Sequence, residues 1–331
     1  MSKPVGGTVP PPRSRFVTLT DTFYRMAHSH DHIHGHHHHG EDTTEGRLWI
    51  SIFLNLVITL AEFVGGIISN SLSLLSDALH NLNDTASLGI SLVARKISKK
   101  QANREKTFGY KRAEIIGAFI NLITLVIIAL FLVKEGVERF YNPQPIDGLI
   151  MFIVAIIGLL GNVITAVLLF SKSKENINIR SAYVHILSDA FSSVGVIIAG
   201  WLILEYQLYI IDTILTLIIA GYILWQSYYM LKKTINILME STPQEINIEQ
   251  VTDAMKSVSK VLDIHHVHVW RLDEQNILLE SHVVIDEDQL ANMEKIKSRL
   301  KQLLKSEYNI HHSTLEFEFE PCENHAEIPC N

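Results

Sequence analysis

Six stretches of about twenty apolar residues follow one another through the first two thirds of this chain, and they fix its class. They run near Leu48–Ile68, Leu72–Val93, Ile115–Val133, Leu149–Phe170, Ala182–Leu204 and Tyr209–Leu231. Each approaches the ~20 residues that an α-helix needs to cross the hydrocarbon core of a bilayer. None contains a proline; Pro143 and Pro145 fall in the turn between the third and fourth. With 47% hydrophobic residues over 331 positions, the chain is expected to be an integral, multi-pass membrane protein with six transmembrane helices.

An even number of spans puts both ends on one side, and the loop charges say which. Arg95–Arg112, between the second and third spans, holds eight Lys or Arg. Lys172, Lys174 and Arg180 follow on the same side, as do Lys232 and Lys233 after the sixth span. On the opposite side only Lys134 and Arg139 occur, offset by Glu135 and Glu138. Both termini are therefore expected in the cytoplasm. The net charge of −7, with no basic stripe outside these loops, gives no sign of a nucleic-acid partner.

Within these apolar stretches a short pattern occurs twice. Ser76-Asp77-Ala-Leu-His80-Asn-Leu-Asn-Asp84 lies in the second stretch, and Val184-His185-Ile-Leu-Ser-Asp189 in the fifth. Residues four apart share one face of a helix, so each stretch presents one imidazole and one carboxylate in the same direction. Two such helices packed together offer two nitrogens and two oxygens, a ligand set suited to a tetrahedral divalent ion, zinc above all. A lone His or Asp is ordinarily surface or satisfied core. At membrane depth, however, ionisable residues are costly and mark function by default. Two aspartates would also neutralise a doubly charged ion there.

Other polar residues in the apolar stretches need an account. Asp77 lies one turn before His80 and is placed to bond its second ring nitrogen, an outer partner of a metal ligand. Glu62 and Asn55, seven apart, share a face, and Glu62 is either a proton acceptor or an interhelical tie. Asn121 and Asn162 are equally well read as ties between helices. Asp212 opens the sixth stretch.

The ends of the chain differ in character. Residues 1–47 are expected to be a disordered cytoplasmic tail, with no apolar core of a signal peptide. It carries His28, His30, His32, His34, His36, His37, His38 and His39, eight of the seventeen histidines. Such a tract builds no core and reads as an accessory metal-gathering segment. The transport domain is placed at 48–235, a soluble domain at 240–320 and a short tail at 321–331, with Cys322 and Cys330 beside His325. In the soluble part Ile248–Val261 and Gln289–Tyr308 have helical spacing, while Ile264–Leu272, Ile277–Ile285 and Thr314–Glu320 read as strands. The order α-β-β-α-β makes a small sheet with helices on one face. Period-two alternation puts His266, His268 and Trp270 on one face of the first strand and His265, Val267 and Val269 on the other.

The six spans, the paired His-x-x-x-Asp motifs in the second and fifth, Phe108-Gly-Tyr-Lys-Arg-Ala-Glu114 and His266-Val-His-Val-Trp270 together resemble the cation diffusion facilitator family of zinc transporters. The likeness is to its bacterial cobalt–zinc–cadmium efflux members, over roughly residues 48–320. The resemblance implies a homodimer, with a six-helix membrane bundle and a ferredoxin-like, metallochaperone-like α+β cytoplasmic domain. It implies a Zn2+/H+ antiporter working by alternating access, with His80, Asp84, His185 and Asp189 as the transport site and cadmium or cobalt as further substrates. In the family a His/Asp set goes with zinc, whereas Asp in place of the first His goes with manganese or iron. It also implies a second metal site at His265, His282, Glu318 and Glu320, of which the two glutamates depart from the family's residues. The expected location is a bacterial inner membrane.

Other classes fare worse. A membrane metallohydrolase needs a His-Glu-x-x-His helix, and an ATP-driven pump needs a Gly-x-x-x-x-Gly-Lys-Ser/Thr loop; neither is present. The chain is not expected to be an enzyme. A membrane-anchored metal receptor or sensor is the alternative.

Overall fold

The computed structural model describes residues 42–174 and 177–319. Its first part is six long helices: α1 (Asp42–Ser69), α2 (Leu72–Ser98), α3 (Ala113–Tyr141), α4 (Gly148–Ser173), α5 (Ile177–Tyr206) and α6 (Ile210–Leu238). They cover the six apolar stretches and extend beyond them. α1 begins at Asp42, ahead of the first apolar stretch.

α3, α4, α5 and α6 each contain a run long and apolar enough to cross a membrane. Among the described residues α1 contributes the shorter apolar run Phe53–Ser69, and α2 contains no such run. α2 interrupts its leucines with Ser73, Ser76, Asp77, Asn81 and Asn83, all buried. These polar residues face inward because α2 is the hub of the bundle: it packs on α1, α3, α5 and α6. α1 also packs on α4, α4 on α5, and α3 on α6. Ile127, Val167 and Ile218 point outward, the arrangement that lipid contact requires.

Two polar devices set the start of α2. Asn70 closes the α1–α2 turn in the left-handed region at φ 58°, and Ser71 N–H returns to the Gly66 carbonyl at 3.1 Å. From α3, Arg139 donates to the Asn70 carbonyl at 2.7 Å and to its Oδ1 at 3.1 Å. The second device is Asp212, fully buried at the start of α6. Its carboxylate accepts from the Ser71 hydroxyl at 2.7 Å, Leu72 N–H at 2.8 Å, Ser73 N–H at 3.1 Å and the Ser73 hydroxyl at 2.6 Å. An acid at a helix start satisfies donors that have no partner within the helix.

The second part runs α7 (Ile248–Lys256), β1 (Asp263–Arg271), β2 (Ile277–Val284), a 3-10 turn (Glu287–Asn292), α8 (Met293–Tyr308) and β3 (Ile310–Glu318). The sheet order is β1-β2-β3, with β1 antiparallel and β3 parallel to β2. Val251 and Met255 of α7 and Ile296, Leu300 and Leu304 of α8 join Ile264, Val269, Leu279, Val283 and Ile310 of the sheet in one core. The first helix stops at Lys256, short of Val261, where Ser257 caps it and a turn follows. β3 starts at Ile310, earlier than Thr314, because Ile310 is buried opposite Ile277 while His311 and His312 mask the alternation.

Replacing Asp212 by leucine removes four hydrogen bonds and leaves two serine hydroxyls buried. This should destabilise the membrane domain by about 3 kcal/mol, measured as a lower unfolding temperature in detergent.

Candidate metal-binding sites

α2 and α5 pack against each other, and the two His-x-x-x-Asp pairs face one another across that contact. Asp84 Oδ2 lies 2.9 Å from His185 Nε2 and 3.5 Å from His80 Nε2. Asp189 Oδ2 is 3.7 Å from His185 Nε2, and the two imidazole rings stand edge to face with centroids 6.1 Å apart. One carboxylate thus bridges imidazoles of both helices, and a second stands beside it. Two nitrogens and two carboxylates meet with no sulfur or lysine among them, a donor set that fits zinc as a substrate.

Around this centre lies a shell of buried polar contacts. Asp77 accepts from the Ser192 hydroxyl of α5 at 2.9 Å. It does not bond His80 as the sequence suggests; the His80 Nδ1 has no hydrogen-bond partner among the described residues. Asp77 instead ties the two ligand-bearing helices together. Glu62, 1% exposed on α1, accepts from Asn81 of α2 at 3.2 Å. Asn162 of α4 reaches Ser193 at 3.5 Å, and the Ser193 hydroxyl donates to the Asp189 carbonyl at 3.1 Å. Asn81, Ser192 and Ser193 are the residues the sequence reading passed over. Asn81 and the two serines adjoin the ligand motifs, but only the helix-to-helix register shows whom they meet.

The soluble domain holds a second cluster. Glu318 bridges two histidines, with Oε1 2.6 Å from His282 Nδ1 and Oε2 3.3 Å from His265 Nε2. Asp263 and Glu316 stand 3.7 Å from His265 and His282. His266 belongs here too, since one ring nitrogen from each of His265, His266 and His282 lies within 4.8 Å of the others. Strict alternation would send His265 and His266 to opposite faces. A bulge in β1 between His265 and His268, with His266 at φ 49°, inserts an extra residue and turns both rings to one side. Burial holds His265 below the ordinary imidazole range; Glu318 opposes this, while His266 and His282 add to it. Neutral imidazole is the form that ligates metal. His268 lies farther along the strand, opposite Glu280, and is exposed. Glu320, the His28–His39 tract, Cys322 and Cys330 lie outside the described residues.

Residues 48–239 match the cation efflux transmembrane domain, and residues 243–320 match the cytoplasmic domain of cation efflux proteins. The chain belongs to the cation efflux, or cation diffusion facilitator, family. It is 37% identical over 287 residues to the zinc transporter ZitB of Pectobacterium atrosepticum, covering 86% of this chain and 88% of that one. The cadmium, cobalt and zinc/H(+)-K(+) antiporter of Bacillus subtilis is 37% identical over 287 residues, 86% of this chain and 92% of its own. The cation efflux system protein CzcD of an Alcaligenes species is 35% identical over 280 residues, 84% and 88% of the two chains. The family consists of membrane transporters and not enzymes.

Ser192→Ala removes a hydroxyl that donates to the buried Asp77 carboxylate. It should lower stability by about 1–3 kcal/mol, seen as a drop in unfolding temperature.

Proposed function

We propose that this protein exports zinc from the cytoplasm in exchange for protons, through His80, Asp84, His185 and Asp189. The observation that carries the reading is the Asp84 carboxylate shared between His80 of its own helix and His185 of α5. An ion entering there takes two neutral imidazoles and two carboxylates, so its charge is cancelled at membrane depth. Metal binds only deprotonated ligands, so each entry of zinc releases protons and each proton that returns weakens the metal's hold. Because the ligands sit on two helices, a rocking of α5 against α2 can open the site first to one side and then to the other. Asp77, through Ser192, and Glu62, through Asn81, hold the partner helices in register around it.

All six helices cross the membrane in this reading. α2 gives up apolar surface because it is enclosed by four others. The basic loop before α3 and the lysines after α6 support a cytoplasmic position for both termini. The names of the bacterial relatives support an inner-membrane location and extend the substrates to cadmium and cobalt. The α-β-β-α-β domain has the order expected of a ferredoxin-like fold, and its match to the family's dimerisation domain supports a homodimer. The His265, His266, His282 and Glu318 cluster is its second zinc site, and the His28–His39 tract gathers metal for the transporter.

Three outcomes test this. Asp189→Ala should abolish zinc uptake into inverted membrane vesicles while the protein still assembles in the membrane; retained uptake would remove these four residues from the mechanism. His80→Asp should shift selectivity towards manganese, which favours oxygen ligands; an unchanged zinc-to-manganese ratio would contradict control by ligand type. In the soluble domain His266→Ala should weaken zinc binding by at least the ~10–100-fold that loss of an outer partner costs a metal site. His268→Ala should leave it unchanged, by competition titration with a chelating dye.

A further inference from the structure

A cleft of about 1000 Å³ opens beneath the soluble domain, between the cytoplasmic ends of α2 and α3. Its two ends differ in chemistry. The lower wall is apolar, with Ile90 and Val93 of α2 facing Ile116 and Ile120 of α3; Val93 is 61% and Ile120 52% exposed. The upper wall is the basic segment before α3, including Lys106, Lys111 and Arg112, under Trp270 and Leu272 of the soluble domain. A second cavity of about 610 Å³ shares Phe108 and Lys111 with the first and adds Lys99 and Lys100.

The walls are ordered by specific contacts. The Ser98 hydroxyl donates to Glu114 at 2.5 Å, joining α2 to α3 across the cleft. Asn103 Oδ1 accepts from Glu105 and Lys106 N–H, and Gly109 turns the chain at φ 76°. Phe108 packs edge to face on His312 of the sheet. The acids that line or adjoin the cleft are partly committed: Glu240 holds Arg112 at 2.6 Å, and Asp273 stands 3.9 Å from Lys111. Glu105 is the remaining lining acid. Lys106 stays exposed, its Nζ 5.8 Å from the Tyr110 ring, and the exposed Lys99 and Lys100 line the neighbouring cavity, with Lys100 Nζ also 5.8 Å from that ring.

We propose that this cleft binds an anionic phospholipid, its acyl chains between α2 and α3 and its phosphate among Lys106, Lys111 and the lysines of the adjoining cavity. An apolar trough leading into a cationic pocket is complementary to an anionic amphiphile, and polybasic segments at the cytoplasmic surface attract such lipids. A second copy of the chain fits less well. A two-fold contact through this face would set the same lysines against each other. The proposal rests on the reading that these helices span a bilayer with the basic loop in the cytoplasm, but its test does not use transport.

The test is native mass spectrometry of the full chain released from nanodiscs of equal parts phosphatidylcholine and phosphatidylglycerol. Wild type should retain phosphatidylglycerol in preference to phosphatidylcholine. Gly89 lines the cleft, and a Cβ added there meets no atom within 4 Å, so Gly89→Leu fills the trough without a clash and should abolish the retention. Lys106→Ala with Lys111→Ala should reduce it about fivefold for each lysine removed. The lysine pair carries the test alone if leucine disturbs α2. Equal retention of both lipids by wild type, or retention unchanged in the lysine pair, would overturn the proposal. So would a change in the dimer fraction of Gly89→Leu with no change in bound lipid, which would assign the cleft to a second copy. Zinc uptake that fails while lipid selectivity holds would overturn the transport reading and leave this one standing.

Discussion

A carboxylate enclosed in a membrane domain must find a donor or a cation, and four acids in this bundle, the buried Glu62, Asp77 and Asp212 and the half-buried Asp84, do so through α2. Asp212 accepts from the first turn of α2. Glu62 accepts from Asn81 in its middle. Asp77 and Asp84, both on α2, reach across to Ser192 and His185 of α5. Because an unpartnered charge at this depth is so unfavourable, these contacts restrict how α1, α5 and α6 can sit against α2. The apolar surfaces alone would not, since lipid and leucine are equally good neighbours.

The same restriction suits the proposed transport. Three of the contacts are fixed ties between neutral donors and an acid. The fourth, around Asp84, joins groups that a divalent ion or protons can occupy in turn. It lies on the α2–α5 contact, so a change in its occupancy bears directly on how those two helices meet. Loss of an outer tie such as Ser192–Asp77 would therefore disturb the position of both ligand pairs together.

Much of this was legible in the sequence because it depends on spacing within one helix. The i, i+4 interval placed His80 with Asp84 and His185 with Asp189, and the repetition joined the two pairs. The change of composition near residue 240 marked the soluble domain. What depends on register between distant elements was hidden. Asp212 was visible as a polar residue, but its partners Ser71 and Ser73 lie about 140 positions earlier. Asp77 looked like a partner of His80 because they are one turn apart, whereas the helix packing gives it Ser192. Alternation separated His265 from His266 because a single bulge, with His266 at φ 49°, resets the period of the strand.

The central claim is that zinc and protons exchange at the four residues joining α2 and α5. The most direct measurement is zinc uptake into proteoliposomes that enclose a pH-sensitive dye, for the wild type and Asp84→Ala. Zinc influx accompanied by an opposite proton flux, with both lost in the variant, is the predicted result. Zinc binding without flux in the wild type, or coupled flux that survives in Asp84→Ala, would contradict it.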